Sequence, residues 1–405
     1  MSRQSPRGPG EARRNLPVLS LRALLAGLRA TVLTVILQPF VLSLGASVAL
    51  LGLLETVGGY RGLIPTLVQP AAGWLADRVG RKGVAVVAGV AAVGSLALFA
   101  FAGAVKRELL LWPAVVLLGL SAVARPALDA LTGESAGAER VGFAYGLVTF
   151  GWAVAGVVAS LGAGFLAERL GFAAVFALTI VVELFGTLLL AFGVRETLAE
   201  RRRARLAQDE VRRLTVGVLA PPRALRGFYL AVVTDAFFSG FGVTLLYGFF
   251  SDRYGFSPVQ FGVMTTAYSA AWALMQLPAG HWVDQGKPKE LLVISEVLYA
   301  GAALIWLVSA RFEVLVGSMA LVGVVSALWS PALYGWLYAR VPMRRRAEEM
   351  GRLNALTGLF AFPAPWIGGI LYERFGFAVP ISITLGGILL AAAIFVRGLP
   401  DATPG

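Results

Sequence analysis

The sequence has 405 residues, of which 58% are hydrophobic and 14% charged; its formal net charge is +12 and its mean hydropathy +0.76. Soluble domains are near half apolar and a quarter charged, so this composition excludes an ordinary water-soluble fold. Cysteine is absent, which excludes disulfides, thiolate metal sites and cysteine nucleophiles, and the single histidine, His281, cannot form a zinc site alone.

Twelve hydrophobic segments are long enough to cross a bilayer, which takes about 20 apolar residues of helix. In chain order these spans fall near residues 21–44, 47–72, 84–104, 109–131, 142–166, 173–194, 227–250, 257–281, 290–310, 313–338, 351–371 and 378–397. The sequence therefore predicts an all-α integral membrane protein, and we expect neither a metal nor a cofactor.

Arginine-rich loops predict the orientation. With the N-terminus inside, the inner loops contain DRVGRK, RRRARLAQDEVRR and RVPMRRRAEEMGR, whereas the outer loops are nearly balanced in charge. Positive loops stay on the cytoplasmic side, so we expect both termini in the cytoplasm and the chain in the inner (cytoplasmic) membrane. These loops account for the net positive charge. No aromatic residues alternate with them, and no nucleic-acid partner is expected.

The chain repeats itself after about half its length. GFLAERLGFA at 164–173 returns as GILYERFGFA at 369–378, and PAL at 126–128 returns at 331–333. An even number of spans separates the copies, so the halves are parallel repeats in two pseudo-symmetric six-helix bundles. The predicted domains are a cytoplasmic tail (1–20), a six-helix bundle (21–194), a basic cytoplasmic linker (195–226), a second six-helix bundle (227–397) and a tail (398–405).

The loop between spans 2 and 3 concentrates charge in GWLADRVGRKG, residues 73–83. In a duplicated twelve-span protein this loop resembles that of the major facilitator superfamily, which carries a glycine, then aspartate-arginine, then glycine-arginine-lysine. The matching positions are Gly73, Asp77, Arg78, Gly80, Arg81 and Lys82, and a weaker second copy contains Gly280, Asp284 and Lys287. The resemblance implies a transporter that works by alternating access, similar to the drug/proton antiporter-like branch.

Two features depart from that branch. Span 1 carries Arg29 and Gln38 but no acid, and the small residues of span 5 include no proline. Both departures weaken an assignment to proton-driven drug efflux.

The same resemblance implies a conformational latch. Asp77 would face the positive N-terminus of span 11, and Arg78 and Arg81 would pair with Asp129 at the inner end of span 4. These contacts would hold the cytoplasmic sides of the halves together while the protein opens outward. The alternative is that the basic residues only set the topology.

Ionisable side chains within spans are costly and mark pathways or paired sites. The candidates for substrate or proton coupling are Arg29, Glu55, Arg61, Arg125, Glu183 and Asp235. Arg29 and Asp235 occupy equivalent positions of the two halves, and the resemblance implies that their spans line a central cavity. We expect them to pair across it, either as a coupling device that protonation opens or as a static salt bridge. Arg22 should snorkel to the headgroups, and Glu296 should do so less easily.

Aromatic residues within the spans suggest an apolar cavity suited to lipophilic compounds, although helix packing would explain them equally well. The cavity candidates are Trp152, Phe238, Tyr268, Trp272 and Trp329.

The leading hypothesis is a monomeric secondary active transporter of a small molecule, with proton-coupled efflux of amphipathic compounds as the favoured form. Uptake of a nutrient such as a sugar or organic anion, or a non-transporting sensor on the same scaffold, are the alternatives. The chain lacks a phosphate-binding G-x-x-x-x-G-K-[ST] loop and an H-E-x-x-H motif, so neither an ATP-driven pump nor an intramembrane zinc enzyme is expected.

Overall fold

The computed structural model describes residues 15–136, 141–197 and 221–399. In these ranges the helices form twelve spans, numbered in chain order. Spans 1 to 6 are Asn15–Ser43, Val48–Gly58 with Leu63–Val79, Arg81–Val105, Leu111–Ser121 with Ala124–Ala136, and the two parts of Val141–Gly193 before and after Gly171. Spans 7 to 12 are Arg226–Gly242 with Leu246–Tyr254, Pro258–Asp284, Pro288–Val308, Phe312–Arg340, Arg346–Ala361 with Ala364–Phe375, and Ala378–Gly398.

The twelve-span, all-helical prediction is confirmed. Within the described ranges, nine helical stretches are long and apolar enough to cross a membrane, and one of them, Gly146–Gly193, holds both span 5 and span 6. Spans 2 and 8 complete the twelve; span 2 consists of two shorter helices, and span 8 includes polar residues such as Gln276 and His281.

Span 1 begins at Asn15, six residues before its predicted start. The Asn15 side chain accepts a 2.9 Å hydrogen bond from the backbone N–H of Arg195 and donates a 3.0 Å bond to its carbonyl. The described part of span 1 thus starts at a residue whose side chain is bound by a residue 180 positions away.

The repeat found in the sequence returns as matching turns. Gly171 ends span 5 with φ +80° and Gly376 ends span 11 with φ +79°. Gly80 and Gly286, in the loops after spans 2 and 8, also have positive φ values. Only glycine adopts this conformation without strain, so the two halves turn at equivalent places for the same reason.

Two faces of the bundle can be distinguished by the chain direction. Span 1 begins and span 12 ends on one side, which we call the terminal face; the other side is the distal face. Span 2 packs on span 11 and span 5 on span 8, and these two pairs join the six-span halves. Glycines allow the close approach: a Cβ at Gly262 would lie 2.6 Å from the Ser160 carbonyl oxygen.

The hydrophobic core is divided by depth. On the distal side one cluster joins residues of both halves, including Phe40, Phe176 and Phe249. On the terminal side the described residues form two separate clusters, one in the N-terminal half around Leu131 and one in the C-terminal half around Trp336. The halves therefore meet at the distal face and part towards the terminal face.

Candidate functional site

A buried ion triad lies in the N-terminal half. Glu183 of span 6 accepts bonds from Arg22 Nη2 at 2.5 Å, Arg22 Nη1 at 3.2 Å and Arg29 Nε at 3.1 Å. The side-chain exposure is 0% for Glu183, 4% for Arg22 and 17% for Arg29. Arg22 and Arg29 are seven residues apart, two helical turns, so both reach the same face of span 1. The triad holds two cations and one anion.

Two expectations from the sequence are wrong here. Arg29 pairs with Glu183 of its own half and not with Asp235 of the other half. Arg22 does not snorkel to the headgroups, because its guanidinium is held inside the bundle by Glu183. The seven-residue spacing of the two arginines is the signal in the sequence that indicates a shared partner.

A second group, the acid cluster, lies in the C-terminal half: Asp235 and Ser239 of span 7, Glu296 and Tyr299 of span 9, and Trp329 of span 10. Ser239 donates a 3.1 Å hydrogen bond to Asp235. Asp235 and Glu296 repel each other electrostatically, and both are buried. The Trp329 indole lies beside Glu296 without closing a hydrogen bond, and within the described residues neither carboxylate oxygen of Glu296 has a hydrogen-bond partner.

The cation that attracts Asp235 is Arg61, which comes from the other half. Arg61 lies in the short non-helical segment that divides span 2 between Gly58 and Leu63. The acid cluster therefore extends across the interface between the halves. Glu296 does not reach the headgroups as its depth suggested, since it is 1% exposed and its charge faces Asp235.

A third polar group closes the distal side. Gln38 Nε2 donates to the Thr244 carbonyl at 2.6 Å, and Gln38 Oε1 accepts from the Gly248 N–H at 2.7 Å. The same amide lies 3.4 Å from Glu55 of span 2. Both ends of one glutamine side chain thus bind the other half, and Glu55 supports it from its own half.

Arg125 lies between the acid cluster and the distal Gln38 group in depth, at the break of span 4. Its Nη1 donates a 2.8 Å hydrogen bond to the hydroxyl of Tyr60, and Asp129 attracts it. Tyr334, on span 10 of the other half, also interacts electrostatically with Tyr60 and Arg125. Tyr60 is 72% exposed although it lies in the middle of span 2, so the space between the halves reaches this depth.

Two residues of the charged loop after span 2 bind within their own half. Arg81 pairs with Glu134 near the end of span 4, and the backbone N–H of Lys82 donates to Glu196 at 3.0 Å. The predicted partner was Asp129, five residues before Glu134. The side chain of Asp77 lies outside the described part of the structure, so its predicted contact with span 11 stays a prediction.

The other residues of the two loop copies take simple positions. Gly80 supplies the positive φ of the first turn. In the second copy, Gly280 and Asp284 lie at the end of span 8 and Lys287 precedes span 9. In the described residues Asp284 and Lys287 form no ion pair; the contact at this end is the 2.9 Å hydrogen bond between Gln285 and His281.

The candidate aromatic residues mainly pack helices together. Trp152 covers Gly27 of span 1, and the Phe238 ring lies directly on Gly387 of span 12. The backbone of span 8 at Tyr268 and Trp272 closely approaches Gly323 of span 10. Of the five candidates, Trp329 is the one that we find beside charged groups, since it adjoins Glu296.

Across the described ranges, no three or more His, Cys, Asp or Glu side chains are grouped so that they could hold a metal ion. What the site does contain is two groups of buried charged side chains and a space between the two halves. Such an arrangement can bind a solute and move protons between fixed carboxylates.

The family model described as "Major Facilitator Superfamily" matches residues 19–239 and 227–405. The chain belongs to this superfamily. The two matches overlap at residues 227–239, and membership establishes a multi-pass membrane transporter fold.

Related MFS proteins share part of the sequence. Over 152 residues the chain is 27% identical to an uncharacterised MFS-type transporter of Mycobacterium tuberculosis, covering 36% of this chain and 26% of that protein. Over 141 residues it is 23% identical to Multidrug resistance protein 2 of Bacillus subtilis, covering 35% of each. The chain therefore spans about a third or less of the length of these curated relatives.

Solved MFS structures agree over nearly the whole chain. The crystal structure of a D-xylose-proton symporter superposes with a TM-score of 0.73 at 18% identity, covering 96% of this chain and 98% of that one. At this identity the likeness establishes the fold alone.

Proposed function

We propose that the chain is a proton-coupled secondary active transporter that exports amphipathic small molecules by alternating access. The observation that carries the coupling is the acid cluster: Asp235 and Glu296 are buried beside each other, and Arg61 of the opposite half attracts Asp235. Buried acids near a domain interface are the usual means of proton coupling in membranes.

Arg61 would connect protonation to movement. With Asp235 ionised, its attraction for Arg61 favours a close approach of the halves in the middle of the bundle. A proton on Asp235 removes that attraction and frees the halves to rock. Arg61 is exposed, so solvent screens this attraction, and a change of about 1.4 kcal/mol already shifts the ratio of two states tenfold.

The orientation follows from the basic loops, which we propose to be cytoplasmic together with both termini. The terminal face is then the cytoplasmic side, and the structure represents a state closed at the distal face and parted towards the cytoplasm. On this proposal the chain works as a monomer in the cytoplasmic membrane, with protons and an amphipathic solute as its partners.

We also retain the latch as a proposal. Asp77, at the end of span 2, would meet span 11 when the terminal sides close, with Arg78 and Asp129 beside it. Asp77→Asn should then increase the population parted at the terminal face. Since the chain has no cysteine, a cysteine pair introduced across that face can report this by cross-linking; unchanged cross-linking would remove the latch.

Export is supported by the partial similarity to Multidrug resistance protein 2, while uptake of an organic anion is the second candidate. The surplus arginine of the Arg22–Glu183–Arg29 triad favours this second candidate, because a negatively charged solute would balance it. Arg125 adds a further cation beside the central space.

Proteoliposomes with an imposed pH gradient test the coupling. We expect the wild-type chain to accumulate the amphipathic dye ethidium against its gradient and to acidify or alkalinise a pyranine-loaded lumen as it does so. Asp235→Asn and Glu296→Gln should each abolish uphill movement yet leave exchange down a gradient. Glu290→Gln is the matched control, because Glu290 is exposed at the start of the same span as Glu296.

Two outcomes would contradict the proposal. If both acid variants kept the wild-type dependence on the pH gradient, the acid cluster would not be the coupling site. If no dye, sugar or organic anion crossed the proteoliposome membrane under any gradient while the purified chain remained folded, the sensor alternative would be favoured over transport.

A further inference from the structure

A side chain of the C-terminal half caps the N-terminus of span 2. The backbone N–H of Ala49, in the first turn of the helix Val48–Gly58, donates a 2.8 Å hydrogen bond to Oε1 of Glu373, near the end of span 11. The N-cap residue of the same helix, Ser47, accepts from the N–H of Leu50 at 3.2 Å. The free N–H groups of a helix N-terminus carry a partial positive charge, so a carboxylate is favourable there. This contact therefore joins the halves by charge as well as by a hydrogen bond.

The two seams between the halves, spans 2 with 11 and spans 5 with 8, are built alike. Each seam has two glycines at which an added Cβ would meet a backbone carbonyl of the facing span: Gly52 at Pro365 and Gly369 at Val48 in the first seam, Gly262 at Ser160 and Gly164 at Pro258 in the second. Ser160 and Pro365 are 205 positions apart, as are Gly164 and Gly369, which is the offset of the internal repeat. The contacts of one seam can therefore be compared with their equivalents in the other.

The second seam does not repeat the carboxylate contact. The equivalent of Glu373 is Glu168, 205 positions earlier, which is exposed and within the described residues forms no hydrogen bond or ion pair. Span 8 instead caps itself: Ser257 and Gln260 form a capping box in which Gln260 accepts from the Ser257 N–H at 2.9 Å. The third residue of the span 2 helix is Leu50, which has no side-chain acceptor. Span 2 thus takes from the other half the acceptor that span 8 supplies itself.

The end of span 11 that carries Glu373 is fixed in its own half. The hydroxyl of the neighbouring Tyr372 donates a 2.7 Å hydrogen bond to Asp252 of span 7, and the Tyr372 ring stacks on Phe249 with 4.5 Å between the ring centres. Within the described part of the chain no arginine or lysine pairs with Glu373, so its bond to Ala49 is not shared with a cation. Parting the halves at the distal face therefore breaks that bond.

From these observations we infer that Glu373 is a distal latch: its carboxylate caps span 2 from the opposite half while the distal face is closed and is released when that face opens. The inference rests on the alternating access proposed above and adds a residue that biases it at the distal face. Glu373 is exposed, so solvent screens the contact. A carboxylate at an exposed helix N-terminus shifts the ratio of two states by about two- to fivefold.

Distances between two spin labels, measured by double electron–electron resonance on the full chain in lipid nanodiscs, test the latch. Since the chain has no cysteine, labels can be attached at Arg107→Cys and Arg311→Cys, two exposed positions in distal loops of opposite halves. We expect Glu373→Ala to raise the ratio of the longer to the shorter distance about two- to fivefold. Glu373→Gln keeps an oxygen acceptor without the charge and should raise the ratio less. Glu168→Ala is the matched control, because Glu168 is the repeat equivalent, and it should leave the ratio unchanged.

The outcomes separate the latch from the transport cycle. If Gly52→Ala, which loosens the same seam sterically, raised the ratio while Glu373→Ala did not, the latch would be overturned and alternating access would stand. Equal ratios in Glu373→Ala and Glu168→Ala would overturn it as well. If the longer distance were absent from every variant, Gly52→Ala included, distal opening and the latch would fall together. Because the distances are measured without a pH gradient, the expected increase would support the latch even if the acid cluster proved not to couple protons.

Discussion

Neutralising Glu183 should be among the most damaging single changes in the N-terminal half. Glu183→Gln leaves Arg22 and Arg29 inside the bundle without their shared anion and weakens three hydrogen bonds of 2.5, 3.1 and 3.2 Å. Breaking a buried pair from one side costs about 3–5 kcal/mol, because the remaining charge stays buried and unpaired. For a chain of 405 residues the loss corresponds to a decrease in Tm of about 4–6 °C.

The opposite substitution should be much milder. Arg22→Met removes the surplus cation and leaves Arg29 and Glu183 as a balanced pair, so the cost is that of the lost charged hydrogen bonds, about 1.5–3 kcal/mol, reduced by the relief of repulsion between the two arginines. The two variants therefore test the net charge of the triad as well as whether its ion pairs form.

Thermal unfolding in detergent, followed by size-exclusion fluorescence of a fusion protein, measures both variants. The matched control is Glu168→Gln, since Glu168 is exposed near the end of span 5, and its Tm should stay within about 1 °C of the wild type. If Glu183→Gln and Arg22→Met lowered Tm equally, or Glu183→Gln had no effect, the triad would not hold an excess positive charge in the bundle.

Three further predictions concern contacts between helices: two of these contacts join the halves, and the third lies within the C-terminal half. Gly52→Ala places a methyl group on the backbone of span 11, so we expect weaker closure of the distal face and faster labelling of introduced distal cysteines by a membrane-impermeant maleimide. Gly301→Ala is the control, because a Cβ there meets no atom, and it should label as the wild type does. Equal labelling rates in the two variants would refute the packing argument. Gln38→Ala removes two hydrogen bonds between the halves and should raise distal labelling in the same assay, by about tenfold if each bond contributes about 0.7 kcal/mol. Tyr229→Phe deletes the 2.6 Å bond from its hydroxyl to the buried Glu349 and should lower stability by about 1–3 kcal/mol, seen as a lower Tm; an unchanged Tm would mean that Glu349 is satisfied by other groups.

The number and order of the spans could be predicted because bilayer thickness fixes the length of apolar helix required. The ends could not, since they depend on contacts between distant residues. Asn15, in the first described turn of span 1, bonds Arg195, and no local pattern in the sequence links those two positions. The internal repeat correctly indicated where equivalent turns occur, because Gly171 and Gly376 need the same backbone conformation.

The candidate residues were largely predictable, but their partners were not. An ionisable residue in an apolar span is conspicuous, which singled out Glu183, Asp235 and Arg61. Which of them meet depends on the direction in which each side chain leaves its helix and on how neighbouring helices are rotated. Equivalent positions in the two halves suggested a pair of Arg29 and Asp235. In the folded chain Arg29 forms a salt bridge with Glu183, and Asp235 is attracted electrostatically by Arg61.

The distal hydrogen bonds of Gln38 have an evolutionary consequence. Gln38 and Thr244 are 206 positions apart, within one residue of the 205-residue offset of the internal repeat, so they lie at nearly equivalent positions of two copies of an ancestral six-helix unit, and here those positions touch. In a homodimer of such units both copies would have carried the same residue at this position. After fusion into a single gene each copy could mutate independently. This allowed a side-chain amide of one half to form hydrogen bonds with backbone groups of the other half.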